Sequence, residues 1–326
     1  MLCGKLLGDL GADVIKVEPP GGSAFRNQPP FYHDIADPEK SLEWLYLGVN
    51  KRGVTLNLET DAGRDVFRRL VATAGFVVES FEPGHMDRLG LSYRELEKIN
   101  PGVVVCSITP FGQTGPYIGY KTPDLVGVSL GGMVRLFGEL DGPPTRISTP
   151  VFHYLGAIHG ALGCMMAHYH RELHGEGQYV DVSCQQATVL ALRIAAETWE
   201  MMGVNSRGSG PSRVMPRPEM GDVIRVPLVY PCKDGHVVAM IHGGQQAGAV
   251  KSSRALVAMA NRDGMALELK DYAWEEMDLA TIALEEIDGI YETLGRFLLT
   301  KTKTELLEAA VADEILMLPV NTVADV

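Results

Sequence analysis

Five short runs of strand-forming residues alternate with helical patterns between Ala12 and Met202, and no other feature of the sequence constrains the fold as strongly. The runs are ADVIKVE, GVTLNLE, FVVESF, VVVCSITPF and QYVDVSC. Between them lie an amphipathic helix in DAGRDVFRRLVATA, capped by Thr60 or Asp61, a helix around Tyr93–Ile99, and a long apolar helix over roughly Val151–Leu173. A further helix is expected over roughly Gln185–Met202. VVVCSITPF is rich in β-branched residues and bounded by glycine and proline, the pattern of a parallel strand covered on both faces. Parallel strands need helical crossovers, so the expected architecture is α/β, with a Rossmann-like parallel sheet in a large domain. CGKLLGDLGADVIKVE opens on a helix with no strand before it, so a first strand is expected to be missing.

SRGSGPSRVMPRP, residues 206–218, is dominated by Ser, Gly and Pro and reads as a linker. Domains are therefore expected at 1–215 and 216–312, with 313–326 starting a return segment toward the first. The second is a smaller α+β domain: VPLVYPCKDGHVVAMI reads as a hairpin turned at Lys233–Gly235, and helical, charge-rich sequence follows to about Ala310. The net charge of -12, without a Lys/Arg cluster, argues against a nucleic-acid partner. No apolar run approaches the roughly 18–20 residues of a membrane span, which argues against a membrane role. Five cysteines without a CxxC pair point to a reducing compartment, and the expected location is cytoplasmic.

None of the glycine-rich loops matches a P-loop, and no GxGxxG stands at a strand–helix turn, so composition and period name no ligand. His170 and His174 have metal-like spacing but no third ligand, so no metal site is expected. The order of motifs is more informative. LGDLGADVIKVEPPGG, NKRGVTLNLET, VESFEPGHMDRLGLSYRELEKINPGVVVCSITPFGQTGPY, HGEGQYVDVSCQQA and PVNTVADV follow one another. This order resembles the class III (CaiB/BaiF) coenzyme A transferases, densely over about residues 1–200 and more thinly beyond. The resemblance implies the class III CoA-transferase fold, lacking here its first strand and its C-terminal return. It also implies acyl-CoA and an organic acid as substrates, and an interlocked homodimer or a heteromer.

The family's coenzyme A contacts carry over to Leu56 and Asn57 at the end of NKRGVTLNL, to Ser80 and Phe81 after FVVE, to Arg88 in MDRLG, and to Lys121 and Asp124 before SLGG. Arg88 corresponds to an arginine that meets phosphate, where a planar fork suits a bidentate contact. Glu59 stands where the family has a lysine, and Pro19 where one member has an arginine that Arg26 is close enough to replace. The nucleophilic aspartate of the transferases, which attacks the acyl-CoA carbonyl, falls on His153 in STPVFHYLGAIHGALG. An imidazole cannot form the mixed anhydride, but it can act as a general base or form an acyl-imidazole. The family's racemases add a histidine at a position occupied here by Pro123, so racemase chemistry loses both groups. Two readings follow. The chain is a CoA-transferase with His153 as a variant catalytic group, or a catalytically silent CoA-binding subunit that partners an aspartate-bearing paralogue. His242, in HGGQQAG, is a further residue that could face substrate.

Overall fold

The computed structural model describes residues 1–217 and 219–326. It divides into two compact units, Met1–Phe137 with Pro144–Ser206, and Gly138–Pro143 with Arg207–Val326.

In the first unit, α1 (Leu2–Asp9) leads to β1 (Val14–Glu18), and α2 (Leu42–Gly48) to β2 (Lys51–Thr55), which pairs in parallel with β1. Then follow α3 (Asp61–Val71), β3 (Phe76–Glu79), α4 (His85–Arg88), α5 (Tyr93–Ile99) and β4 (Val104–Thr109). The unit continues with α6 (Asp124–Leu130), α7 (Val151–His174), β5 (Tyr179–Ser183), α8 (Cys184–Leu190) and α9 (Arg193–Met202). β3, β4 and β5 form a parallel sheet with β4 in the middle, which explains why VVCSIT is buried along almost its whole length. The expected α/β class with parallel strands is thus what the chain adopts.

Thr60 caps α3 by accepting the Gly63 N–H at 3.2 Å. On the other side of β4 the long α7 comes unusually near the sheet. A Cβ on Gly160 would stand 2.5 Å from Ile108 Cδ1, so any larger residue would have to displace the Ile108 side chain from this contact. Gly156 is placed likewise against the Cys184 thiol, where a Cβ would lie 2.3 Å from Sγ. The helix ends at Gly175, whose φ of 78° is left-handed. α1 closes this layer by burying Cys3 and Leu7 against Ala157, Ala161 and Cys164 of α7.

The second unit holds the antiparallel pair β6 (Ser212–Arg217) and β7 (Asp222–Pro227) and the hairpin β8 (Val229–Cys232) and β9 (Gly235–Ala239). Helices α10 (Ala247–Arg262), α11 (Leu284–Leu298) and α12 (Lys303–Asp313) surround a core that includes Trp274, Ile287, Leu294, Phe297 and Leu306. The chain returns as β10 (Met317–Pro319), which pairs antiparallel with β9.

Three expectations need correction. The linker read in SRGSGPSRVMPRP contains β6, because Ser212–Arg217 pairs residue for residue with β7, and the boundary expected at 215 falls inside that strand. Pro218, the last residue of that linker, lies outside the described residues. The single helix expected over Gln185–Met202 is two helices, α8 and α9, broken at Ala191–Leu192 without a glycine or proline to mark the break. The return segment expected from residue 313 contributes β10 to the second unit.

Candidate active site

α7 begins at a position where the chain cannot cap it. The residue before its first turn is Pro150, which has no side-chain acceptor for the free N–H groups there. Asp124, at the start of α6 and 28 residues away in sequence, fills this role: its Oδ1 accepts the Phe152 N–H at 3.0 Å. A carboxylate at the positive end of a 24-residue helix is favourably placed. Phe152 is fully buried against Gly127, where a Cβ would come within 2.5 Å of its ring. That packing fixes the neighbour His153, whose ring centroid lies 5.3 Å from that of Phe152.

His153 is exposed at the helix end, yet the protein atoms around it strip enough water from the imidazole to lower its pKa from the ordinary 6.5, with Asp124 pulling the other way. A neutral ring at pH 7 is a competent base or nucleophile. The nearby Cys184 is not, because burial pushes its thiol up to about 12. Asp124→Asn keeps an acceptor for the Phe152 N–H while removing the charge. It is expected to move the His153 midpoint still lower in an NMR titration, and an unchanged midpoint would refute the coupling.

A second group of expected residues gathers after β3. Phe81 stacks on His85 with ring centroids 4.5 Å apart, and His85 Nδ1 lies 3.3 Å from Arg88 Nη2. Lys121 joins them through Glu82, at 2.8 Å. Phe81, Arg88 and Lys121 thus share one exposed patch, with the Arg88 fork open to solvent and Ser80 exposed beside Phe81. A cleft of about 340 Å³ next to it is lined by Glu79, Ser107, Gln113 and Tyr179, among others. None of these four was singled out from the sequence, because only the pairing of β3, β4 and β5 brings them together.

The remaining expected residues are engaged elsewhere. Arg26 spends its fork on the buried Glu18, at 2.9 and 3.0 Å, and on Glu39 at 2.5 Å, and its guanidinium lies 3.9 Å from the Trp44 ring centroid. The same pairing holds the Glu18 carboxyl below its usual range. Such a guanidinium has little left to offer a phosphate. Leu56 packs into the cluster around Phe67 and Leu91. Asn57 accepts the Glu59 N–H at 3.1 Å and the Thr60 hydroxyl at 2.8 Å, which makes it part of the turn into α3. In the second unit, His242 Nδ1 rests 3.3 Å from the Gly243 carbonyl. Gly243 is needed for packing there, since a Cβ would stand 1.8 Å from the Trp274 carbonyl oxygen.

A family model described as CoA-transferase family III matches residues 1–326. Among curated proteins, the succinyl-CoA:(R)-benzylsuccinate CoA-transferase subunit BbsE of Thauera aromatica is 38% identical over 233 residues, 72% of this chain and 54% of that protein. The acetyl-CoA:oxalate CoA-transferase of Acetobacter aceti is 36% identical over 240 residues, 71% of this chain and 59% of that protein. The chain thus spans little more than half the length of these relatives. Among solved structures, a CaiB/BaiF family protein from Brucella suis superposes with a TM-score of 0.76 at 27% identity, covering 99% of this chain and 80% of that one.

Proposed function

The chain belongs to CoA-transferase family III, and from that premise we propose that it moves coenzyme A from an acyl-CoA donor to an organic acid, with His153 as the reacting group. The observation that carries this reading is the placement of His153 at the start of α7, beside the Phe152 N–H that Asp124 caps, where desolvation lowers its pKa from the ordinary value. In the proposed sequence, one ring nitrogen of neutral His153 attacks the thioester carbonyl to form an acyl-imidazolium, the other nitrogen keeping its proton, and releases the coenzyme A thiolate, which stays bound. The acceptor carboxylate then attacks the acyl group and frees the imidazole, leaving a mixed anhydride of the two acids. The thiolate attacks the acceptor's carbonyl in that anhydride, which forms the new thioester and releases the donor acid. Arg88 and Lys121 supply cations for the coenzyme A phosphates, and Ser80 and Phe81 border them. The names of relatives pair CoA donors with benzylsuccinate, citramalate, mesaconate and oxalate, which favours a dicarboxylic acid as acceptor.

A second reading has its own support. Two relatives are named as subunits, BbsE and a beta subunit, and this chain offers an imidazole where the resemblance calls for an aspartate. In that reading the chain binds coenzyme A beside an aspartate-bearing paralogue. Ile158, Leu162, Met166, Tyr169 and Leu173 leave an apolar stripe exposed along α7, a surface of the kind that marks a protein interface. Five free, buried thiols agree with a cytoplasmic location, and among the described residues no helix is long and apolar enough to cross a membrane.

The test is transfer from succinyl-CoA to each of these acids, followed by mass spectrometry, with the chain alone and with such a paralogue. New thioester is expected with the chain alone. No transfer in either preparation sinks the transferase reading. Transfer only with the paralogue, with a hydroxylamine-sensitive acyl group on the paralogue alone, establishes the silent-subunit reading instead.

A further inference from the structure

We propose that Glu79 is a positioning residue for coenzyme A, holding the Ser80–Phe81 turn in the shape that receives the nucleotide. This rests on the reading above, in which that turn borders coenzyme A, and adds to it a residue that makes no ligand contact itself.

The parallel register of β3 and β4 sets Glu79 opposite Ser107, and that of β4 and β5 sets Ser107 opposite Asp181. Two hydrogen bonds flank this row. The Tyr179 hydroxyl donates to Ser107 Oγ at 2.9 Å, and the Phe81 N–H donates to Glu79 Oε2 at 2.7 Å, while Ser107, the register partner of Glu79, favours its charged form. The bond from the Phe81 N–H is strongest while Glu79 is an ionised, acceptor-only carboxylate, since protonation leaves only a neutral acceptor. Its charge-assisted bond to the Phe81 N–H fixes the backbone two residues beyond the strand, where φ and ψ decide the direction of the Phe81 ring. Phe81 in turn stacks on His85, which lies beside Arg88, so the turn's shape passes to the patch that carries the cations.

The groups facing Glu79 come from every neighbouring element. Ser107 stands on β4, and Tyr179 and Asp181 on β5, the Asp181 carboxylate being occupied by the Gln113 N–H at 2.9 Å. His85 and Asp87 stand on α4, Arg94 on α5, and Glu82 in the loop, in a solvent-exposed pair with Lys121 that leaves the ammonium accessible. Burial raises the Glu79 pKa above its usual 4.5; Ser107, the Phe81 N–H and His85 oppose that rise, and Asp181 adds to it. Protonation therefore sets in at milder acidity than for a surface glutamate, and it removes the charge that draws in the Phe81 N–H.

The experiment measures coenzyme A affinity of the full chain by calorimetry from pH 8 down through the acid range in which the protein stays folded, together with amide exchange at Phe81. The wild type is expected to weaken as pH falls through the Glu79 midpoint, with the Phe81 protection factor, corrected for the intrinsic exchange rate at each pH, falling in step. Glu79→Gln is expected to weaken binding about tenfold at pH 8 and to flatten the profile. Ser107→Ala keeps the carboxylate but removes a donor to its charged form, so the acid midpoint moves upward; this variant serves if Glu79→Gln fails to fold. Binding that Glu79→Gln leaves at wild-type strength and pH profile, or Phe81 exchange unaffected by it, overturns this inference alone. A wild-type chain that binds no coenzyme A at any pH overturns the proposed function and this inference with it.

Discussion

His153→Ala is expected to lower coenzyme A transfer by the purified chain roughly a hundred- to a thousandfold. Affinity for coenzyme A should stay within about twofold of the wild type, because a group that acts on the reacting carbonyl contributes to the transition state more than to the bound ground state. The pH dependence carries a sign. Desolvation lowers the His153 pKa, so the neutral ring persists to lower pH than in a free imidazole. The rate is then expected to hold through neutrality and to fall on acidification only below the ordinary value of 6.5. Steady-state kinetics of the variant and a pH–rate profile of the wild type check both statements. A His153→Ala chain that transfers coenzyme A at the wild-type rate would sink the catalytic role.

Phe152→Ala should produce the largest loss of stability of any single change near the site. The side chain is fully buried in a cluster with Val128, Met133 and Cys184, and its ring fills the space that Gly127 leaves open. Emptying such a seat costs about 3–5 kcal/mol, read as a shift in the urea midpoint. The backbone N–H of the same residue carries the Asp124 cap. Collapse of the cavity should therefore also loosen the start of α7, and His153 should titrate closer to an ordinary imidazole as water gains access. A loss below about 1 kcal/mol, within the reach of an ordinary surface change, would show that the cluster does not anchor the helix.

Much of the architecture is legible in the chain because it is set by neighbours in sequence. The β-branched runs FVVE and VVCSIT, the Thr60 cap of α3, the apolar period of Val151–His174 and the turn between β8 and β9 each act over a few residues. The break between α8 and α9 was not legible, since the same helix-forming residues run through it. Nor was β6, where proline, serine and arginine look like linker until β7 supplies a ladder.

The candidate site divides along the same line. His153 and Arg88 could be named from motif order, and the structure leaves both at accessible positions. Arg26 and Asn57 could be named in the same way, but the Arg26 fork is taken up by Glu18 and Glu39, and the side-chain oxygen and backbone carbonyl of Asn57 by the turn into α3. What the amino-acid order alone determined is the element sequence and the residue types available for chemistry, because period, capping and turn signals are local. Only the tertiary structure decided which of those residues are free and which act on one another. Asp124 reaches Phe152 across 28 positions, and Glu79 meets Ser107 through strand register, and contacts of that kind exist only once the chain has closed its loops around a packed core.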